Sequence, residues 1–144
     1  MIAADTNILV YAHRGEALWH DAAFACIKSL AEGRAKWMIP WPCVHEFIAI
    51  VTNKKIYSPA TPLDIVFQQI GIWSGSGSLV FANETAGHLA LLEKLATAAH
   101  LTGAMIHDAR IAAICLQQGV SELWTADRDF SRFPALRTRN PLIS

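Results

Sequence analysis

The sequence predicts an α/β fold in which a parallel sheet lies between helices, and three observations carry that expectation. Short apolar runs at Met1–Ala4, Trp37–Ile39, Leu79–Phe81 and Leu123–Thr125 alternate with longer stretches whose apolar residues recur at helical spacing. Such alternation is the mark of strands joined by crossover helices. The 144 residues contain no internal repeat and no low-complexity linker, so residues 1–144 are expected to form one domain with its own hydrophobic core.

In chain order, Met1–Ala4 is a short apolar strand, and Asp5-Thr6-Asn7 supplies residues suited to cap a helix over Ile8–His13. Leu18–Ala31 is a second helix, with Phe24, Ile27 and Leu30 on one face and Gly33 as its stop signal. Trp37–Ile39 is a strand closed by Pro40, and Pro42 suits the first turn of a helix running to about Thr52. That helix carries Val44, Phe47, Ile48 and Val51 as apolar positions. Lys54–Pro62 is a loop with two prolines, Leu63–Trp73 a helix, Ser74–Ser78 a flexible turn and Leu79–Phe81 a strand. A long helix over Glu84–His100, with Leu89, Leu92 and Leu95 facing the core, breaks at Thr102-Gly103. Ile106–Gln118 is a further helix closed by Gly119, Leu123–Thr125 a strand, and Arg137–Arg139 a last short strand.

Composition narrows the function classes. Lys plus Arg and Asp plus Glu number twelve each, so a globally basic nucleic-acid binder is not indicated. The arginines are nevertheless uneven: Arg128, Arg132, Arg137 and Arg139 crowd the last part of the chain. Hydrophobic residues make up 53% and charged residues 17%, an apolar balance that a small domain cannot hide entirely. Self-association, or a bound partner, is expected to cover the surplus. Cys26, Cys43 and Cys115 are too few and too scattered for a disulfide framework or zinc site, and are expected as buried thiols in a reducing cytoplasm. No run approaches a membrane span. Asp5 and Asn7 interrupt the opening, with no basic segment before them, so no signal peptide is expected and a cytoplasmic location is.

The chemistry is expected in four acids. Asp5 directly follows one strand and Asp127 lies two residues past another, so both should stand on one rim of a parallel sheet, where such folds place their crevice. Asp108 and Glu46 lie in the first turns of their helices. Each has a plainer role open to it: a cap for Asp5, a complement to the helix dipole for Asp108, solvent for Glu46, a turn for Asp127. Brought together, four carboxylates repel, and a hard divalent cation resolves this, Mg²⁺ being the usual choice beside phosphate groups. Such a metal acidifies water and offsets charge on an attacked phosphodiester, with no serine or cysteine nucleophile required. Asp129 competes with Asp127 for the fourth position. Thr125 ending the strand puts Asp127 where the chain turns over the rim, whereas Asp129 suits a cap for a turn anchored by Phe130 and Phe133.

Three segments resemble a VapC-type PIN domain. They are I-A-A-D-T-N from Ile2 to Asn7, H-D-A-R-I-A-A-I from His107 to Ile114, and L-W-T-A-D-R-D-F-S-R-F from Leu123 to Phe133, joined by the helical glutamate of P-C-V-H-E-F. Their order and spacing cover essentially the whole chain. The resemblance implies a three-layer α/β/α sandwich around a mostly parallel sheet, and an endoribonuclease that uses Mg²⁺ or Mn²⁺. It maps the metal-binding, catalytic acids onto Asp5, Glu46, Asp108 and Asp127, a hydroxyl near the metal pocket onto Thr125, and a polar support for the first acid onto Asn7. It also implies a toxin of a toxin–antitoxin pair, commonly a homodimer and silenced by a cognate antitoxin. The segment Lys54–Ser78 matches nothing specific.

Other residues invite roles with less support. His45 and His107 neighbour two of the acids, but adjacent helical residues point about 100° apart. The five tryptophans suit core or interface packing more than base stacking. Arg110, Arg128 and Arg132 are candidate RNA contacts, or solvated surface charges. A receiver domain would need an acidic pair after the first strand, and an aspartyl phosphatase a second aspartate where Asn7 stands. Two alternatives remain: a PIN nuclease in RNA processing without an antitoxin, and a non-enzymatic interaction module that retains the fold.

Overall fold

In the computed structural model, which describes residues 1–143, five strands form one parallel sheet in the order β3-β2-β1-β4-β5. The strands are β1 (Ile2–Ala4), β2 (Trp37–Pro40), β3 (Leu79–Ala82), β4 (Glu122–Trp124) and β5 (Thr138–Arg139). Chain order runs outward from β1 to β3 on one side, then returns to β4 and β5 on the other. The gap between the carboxyl ends of β1 and β4 is therefore the point where the strand order reverses, the usual place for a ligand crevice in open parallel sheets.

Six α-helices cover the sheet: α1 (Thr6–His13), α2 (His20–Glu32), α3 (Trp41–Val51), α4 (Leu63–Ser74), α5 (His88–Ala98) and α6 (Ile106–Gln117). Helix α1 packs on α2 and α3, α3 meets α4, and α5 pairs with α6. Every residue of β2 is buried although successive side chains point to opposite faces, so both faces are covered. The resulting α/β/α layering is the expected one, with an all-parallel sheet. Trp37, Phe47, Phe130, Phe133, Leu123 and Ile114 are among the largest fully buried side chains. No helix is long and apolar enough to cross a membrane among the described residues.

Several boundaries differ from the sequence expectation, each for a local reason. Helix α1 begins at Thr6, two residues early, because the Asp5 side chain accepts the Thr6 N–H and starts the helix at once. Helix α2 begins at His20, and Leu18 stands 87% exposed ahead of it. Helix α5 begins at His88 and not at Glu84, because Gly87 takes a left-handed conformation (φ 87°) that a continuous helix cannot contain. Leu89, expected in the core, is exposed, whereas Leu92 and Leu95 pack against it. Phe24 is likewise exposed while Ile27 of the same helix is buried. Of the three cysteines, Cys43 and Cys115 are buried and Cys26 is only half-buried; all are free thiols.

Candidate active site

Asp5 is the innermost of the acids. It leaves β1, its backbone N–H donates to the Trp124 carbonyl of β4, and its side chain is buried. One carboxylate oxygen accepts the Thr6 N–H at 2.8 Å and faces the Cys43 thiol at 3.5 Å. The other accepts the Thr125 hydroxyl at 2.7 Å and the Asn7 amide at 3.3 Å. Burial outweighs these donors, and with repulsion from Glu46 it pushes the Asp5 carboxyl up to about 6.

Thr125 and Asn7 tie the two sides of the crevice together. The Thr125 hydroxyl also accepts the Asp127 N–H at 3.0 Å, and Asn7 accepts the Ala126 N–H at 3.0 Å. Both residues therefore hold the chain leaving β4 against the chain leaving β1. Glu46 turns inward from α3 and accepts the Thr6 hydroxyl at 2.7 Å. Asp108, in the first turn of α6, has no hydrogen-bond donor among the described residues. Burial, then the charges of Asp127, Asp129 and Glu46, raise its carboxyl to about 6.

Asp5, Glu46, Asp108 and Asp127 thus line one cavity of about 280 Å³, walled on its other side by Val10, Tyr11, Ile50 and Tyr57. One oxygen each from Asp108, Asp127 and Asp129 also falls within a 4.8 Å span. No lysine or arginine pairs with Asp5, Glu46, Asp108 or Asp127 among the described residues. This donor set is oxygen-only and negative, offset only by Arg132 beside Asp129 among the described residues, and it fits a hard divalent metal.

The two neighbouring aspartates are arranged differently from the sequence expectation. Asp127, not Asp129, caps the 3₁₀ turn Arg128–Arg132: its carboxylate accepts the Asp129 N–H at 2.8 Å. The turn follows Asp127 immediately, so the cap falls two positions earlier than Phe130 and Phe133 suggested; both rings are buried as expected. Asp129 is exposed, joins the acid cluster and lies 3.7 Å from Arg132. Asp127→Ala should therefore lower thermal stability by about 1 kcal/mol as a lost cap, and Asp129→Ala should leave it nearly unchanged. Melting temperatures of both variants check this; a larger loss for Asp129→Ala would reverse the assignment.

Of the candidate RNA contacts, Arg110 pairs with Glu84 and Arg132 with Asp129, while Arg128 is in no ion pair among the described residues. His45 and His107 are exposed and line none of this cavity. Sequence reasoning missed Thr6 as the support of Glu46, the Cys43 contact, and the tyrosine wall. In the sequence Thr6 reads only as a capping residue; its place beside Asp5 is the available signal. Tyr57 comes from a segment with no acid or motif near it, whereas Tyr11 stands one turn after Asn7 on α1, and that spacing is the available signal.

The PIN-domain family pattern matches residues 2–136. The chain belongs to the PIN-domain family. It is 30% identical over 142 residues to ribonuclease VapC43 of Mycobacterium tuberculosis, covering 99% of this chain and 96% of that one. Among solved structures, VapBC2 of Rickettsia felis bound to a promoter DNA fragment has the same fold, with a TM-score of 0.70, 21% identity, and coverage of 96% of this chain and 98% of that one. So does VapC20 of M. tuberculosis, described as a toxin that cleaves the sarcin-ricin loop, with a TM-score of 0.66, 17% identity, and coverage of 91% and 93%. In this PIN domain the first of the four pocket acids follows β1, the second and third lie on α3 and α6, and the fourth follows β4.

The raised carboxyls give the metal-free PIN domain a distinctive pH response. An acid whose folded pKa lies above its unfolded value binds more protons when folded. Stability is then fully present below about pH 4 and is lost as pH rises through 6, by about 3 kcal/mol for buried Asp5. Asp108, about half exposed, adds in the same direction with solvent screening. The melting temperature in chelator should fall from pH 4.5 to 7.5 and be recovered at pH 7.5 by a divalent cation. A flat or rising profile in chelator would contradict the placement of these carboxyls.

Proposed function

We propose that this chain is a Mg²⁺- or Mn²⁺-dependent endoribonuclease, the toxin of a VapBC-type toxin–antitoxin pair. The observation that carries this is the meeting of Asp5, Glu46, Asp108 and Asp127 in one cavity with no paired cation. The names of its relatives, VapC ribonucleases and a toxin described as cleaving the sarcin-ricin loop, support RNA as the substrate. The metal, when bound, supplies charge to offset the attacked phosphodiester and acidifies the attacking water.

The protein's own residues orient the ligands. Thr125, Asn7 and the Thr6 N–H fix both oxygens of Asp5, and the Thr6 hydroxyl fixes Glu46 toward the cavity. Asp108 is left with its oxygens free of protein donors, available to a cation. Asp127 spends one oxygen on its turn and offers the other. Tyr11 and Tyr57 give the cavity an aromatic wall on which an unpaired base can stack, which favours single-stranded RNA.

The exposed side chains of Phe24, Leu63, Phe67 and Ile72 on α2 and α4 support a homodimer or a bound antitoxin, as does the apolar composition. A cytoplasmic location belongs to the same proposal. Incubation of matched single-stranded and fully duplex RNA with the protein and Mg²⁺ tests it. Internal cuts in the single strand at a faster rate than in the duplex are expected. Failure of the folded protein to cut either RNA would overturn the nuclease assignment.

A further inference from the structure

A second cavity, of about 380 Å³, adjoins the acid cavity and shares Asp127 with it. It lies beyond the carboxyl ends of β4 and β5, lined by Thr125, Asp127, Arg128, Ser131, Arg139 and Asn140 among others. Its charge is opposite in character to its neighbour's. Neither Arg128 nor Arg139 is in an ion pair among the described residues, whereas Arg110, Arg132 and Arg137 are all engaged by acids. Asn140 accepts the Leu142 N–H through its side-chain oxygen at 3.0 Å, so its NH₂ remains a donor.

Two guanidinium groups in no ion pair among the described residues, an amide NH₂ and a hydroxyl form a donor set for a phosphate. The shared lining residue Asp127 places this cavity beside the centre at which an RNA phosphodiester would be cut. A strand threaded through the acid cavity must leave it, and this exit is the one that replaces repulsion by attraction. Resting on the ribonuclease assignment above, we propose that the cavity bounded by Arg128 and Arg139 binds an RNA phosphate flanking the scissile one. It is a subsite that sets substrate affinity without taking part in bond cleavage. Arg139 is its principal cation, because β5 fixes its backbone through the Thr125 N–H to Arg139 carbonyl bond at 2.9 Å.

Steady-state cleavage of a short single-stranded RNA in Mg²⁺, repeated over a range of KCl concentrations, tests this. Arg139→Ala is expected to raise KM about tenfold with kcat changed by less than about twofold. The slope of log(kcat/KM) against log[salt] should become shallower by about 0.7, the value for one lost single-strand phosphate contact. Arg139→Lys should keep the wild-type slope, since it keeps the charge. Replacing one linkage beside the cut by a neutral methylphosphonate should raise the wild-type KM similarly and leave that of Arg139→Ala unaffected. An Arg139→Ala enzyme with wild-type KM and salt slope overturns the subsite. Independent, additive effects of the variant and the neutral linkage at every position overturn it too. A wild-type protein that cuts no RNA overturns the nuclease assignment and the subsite together, which separates the two failures.

Discussion

Asp108→Asn should reduce Mg²⁺-dependent RNA cleavage by more than about 100-fold. Loss of a group that merely orients a metal ligand ordinarily costs 10–100-fold, and Asp108 stands in the acid cluster itself. This variant isolates chemistry from folding better than any other. The Asp108 carboxyl accepts no hydrogen bond among the described residues, so an amide forfeits none. It also faces the charges of Asp127, Asp129 and Glu46, so removing its own charge relieves repulsion in the metal-free protein. The expected pattern at neutral pH in chelator is a melting temperature equal to or above wild type, together with lost activity. Asp5→Asn is a less clean test, since its NH₂ would confront donors from Thr125, Thr6 and Asn7. A folded Asp108→Asn protein that cleaves RNA at the wild-type rate would remove Asp108 from the site.

Thr125→Val should be the most damaging substitution of an uncharged residue in the site. Valine keeps the shape but not the hydroxyl. The Asp5 carboxylate loses its donor at 2.7 Å, and the Asp127 N–H loses its acceptor at 3.0 Å. Each unsatisfied buried group costs about 1–3 kcal/mol, so a loss of about 3 kcal/mol and a fall in melting temperature of about 6–12 °C are expected. Without the Thr125 hydroxyl the Asp5 carboxyl rises further, which disfavours the ionised form that a cation needs. Metal affinity should drop 10–100-fold. Calorimetric titration with Mn²⁺ and a thermal scan read both effects, and Thr125→Ser should restore most of each. Wild-type affinity and stability in Thr125→Val would show that this hydroxyl positions nothing.

The parallel sheet and the rim positions of Asp5 and Asp127 were legible because they depend on local pattern. An apolar run followed by a polar residue marks a strand end, and parallel strands place all such ends on one side. Asp108 was legible as a first-turn acid and Glu46 as an acid early in its helix, though only the tertiary structure shows that α3 turns Glu46 toward Thr6 and not toward solvent. What escaped depends on contacts between distant segments or on backbone conformation. The start of α5 hinges on the left-handed Gly87, which helical periodicity cannot register. The Asp127 cap turns on where the 3₁₀ turn begins, a shift of two residues that composition does not fix. The engagement of Arg110 by Glu84, and the availability of Arg139, come from packing across elements.

On the proposed function these carboxylates form a divalent-cation centre for cutting RNA. The most direct test is cleavage of one single-stranded RNA by the purified, folded protein in excess chelator, then after Mg²⁺ or Mn²⁺ is added beyond the chelator. No cleavage in chelator and internal cleavage on restoring either metal is the predicted result. Cleavage that proceeds at the same rate in chelator, or that stays absent in metal while the protein remains folded, would contradict it.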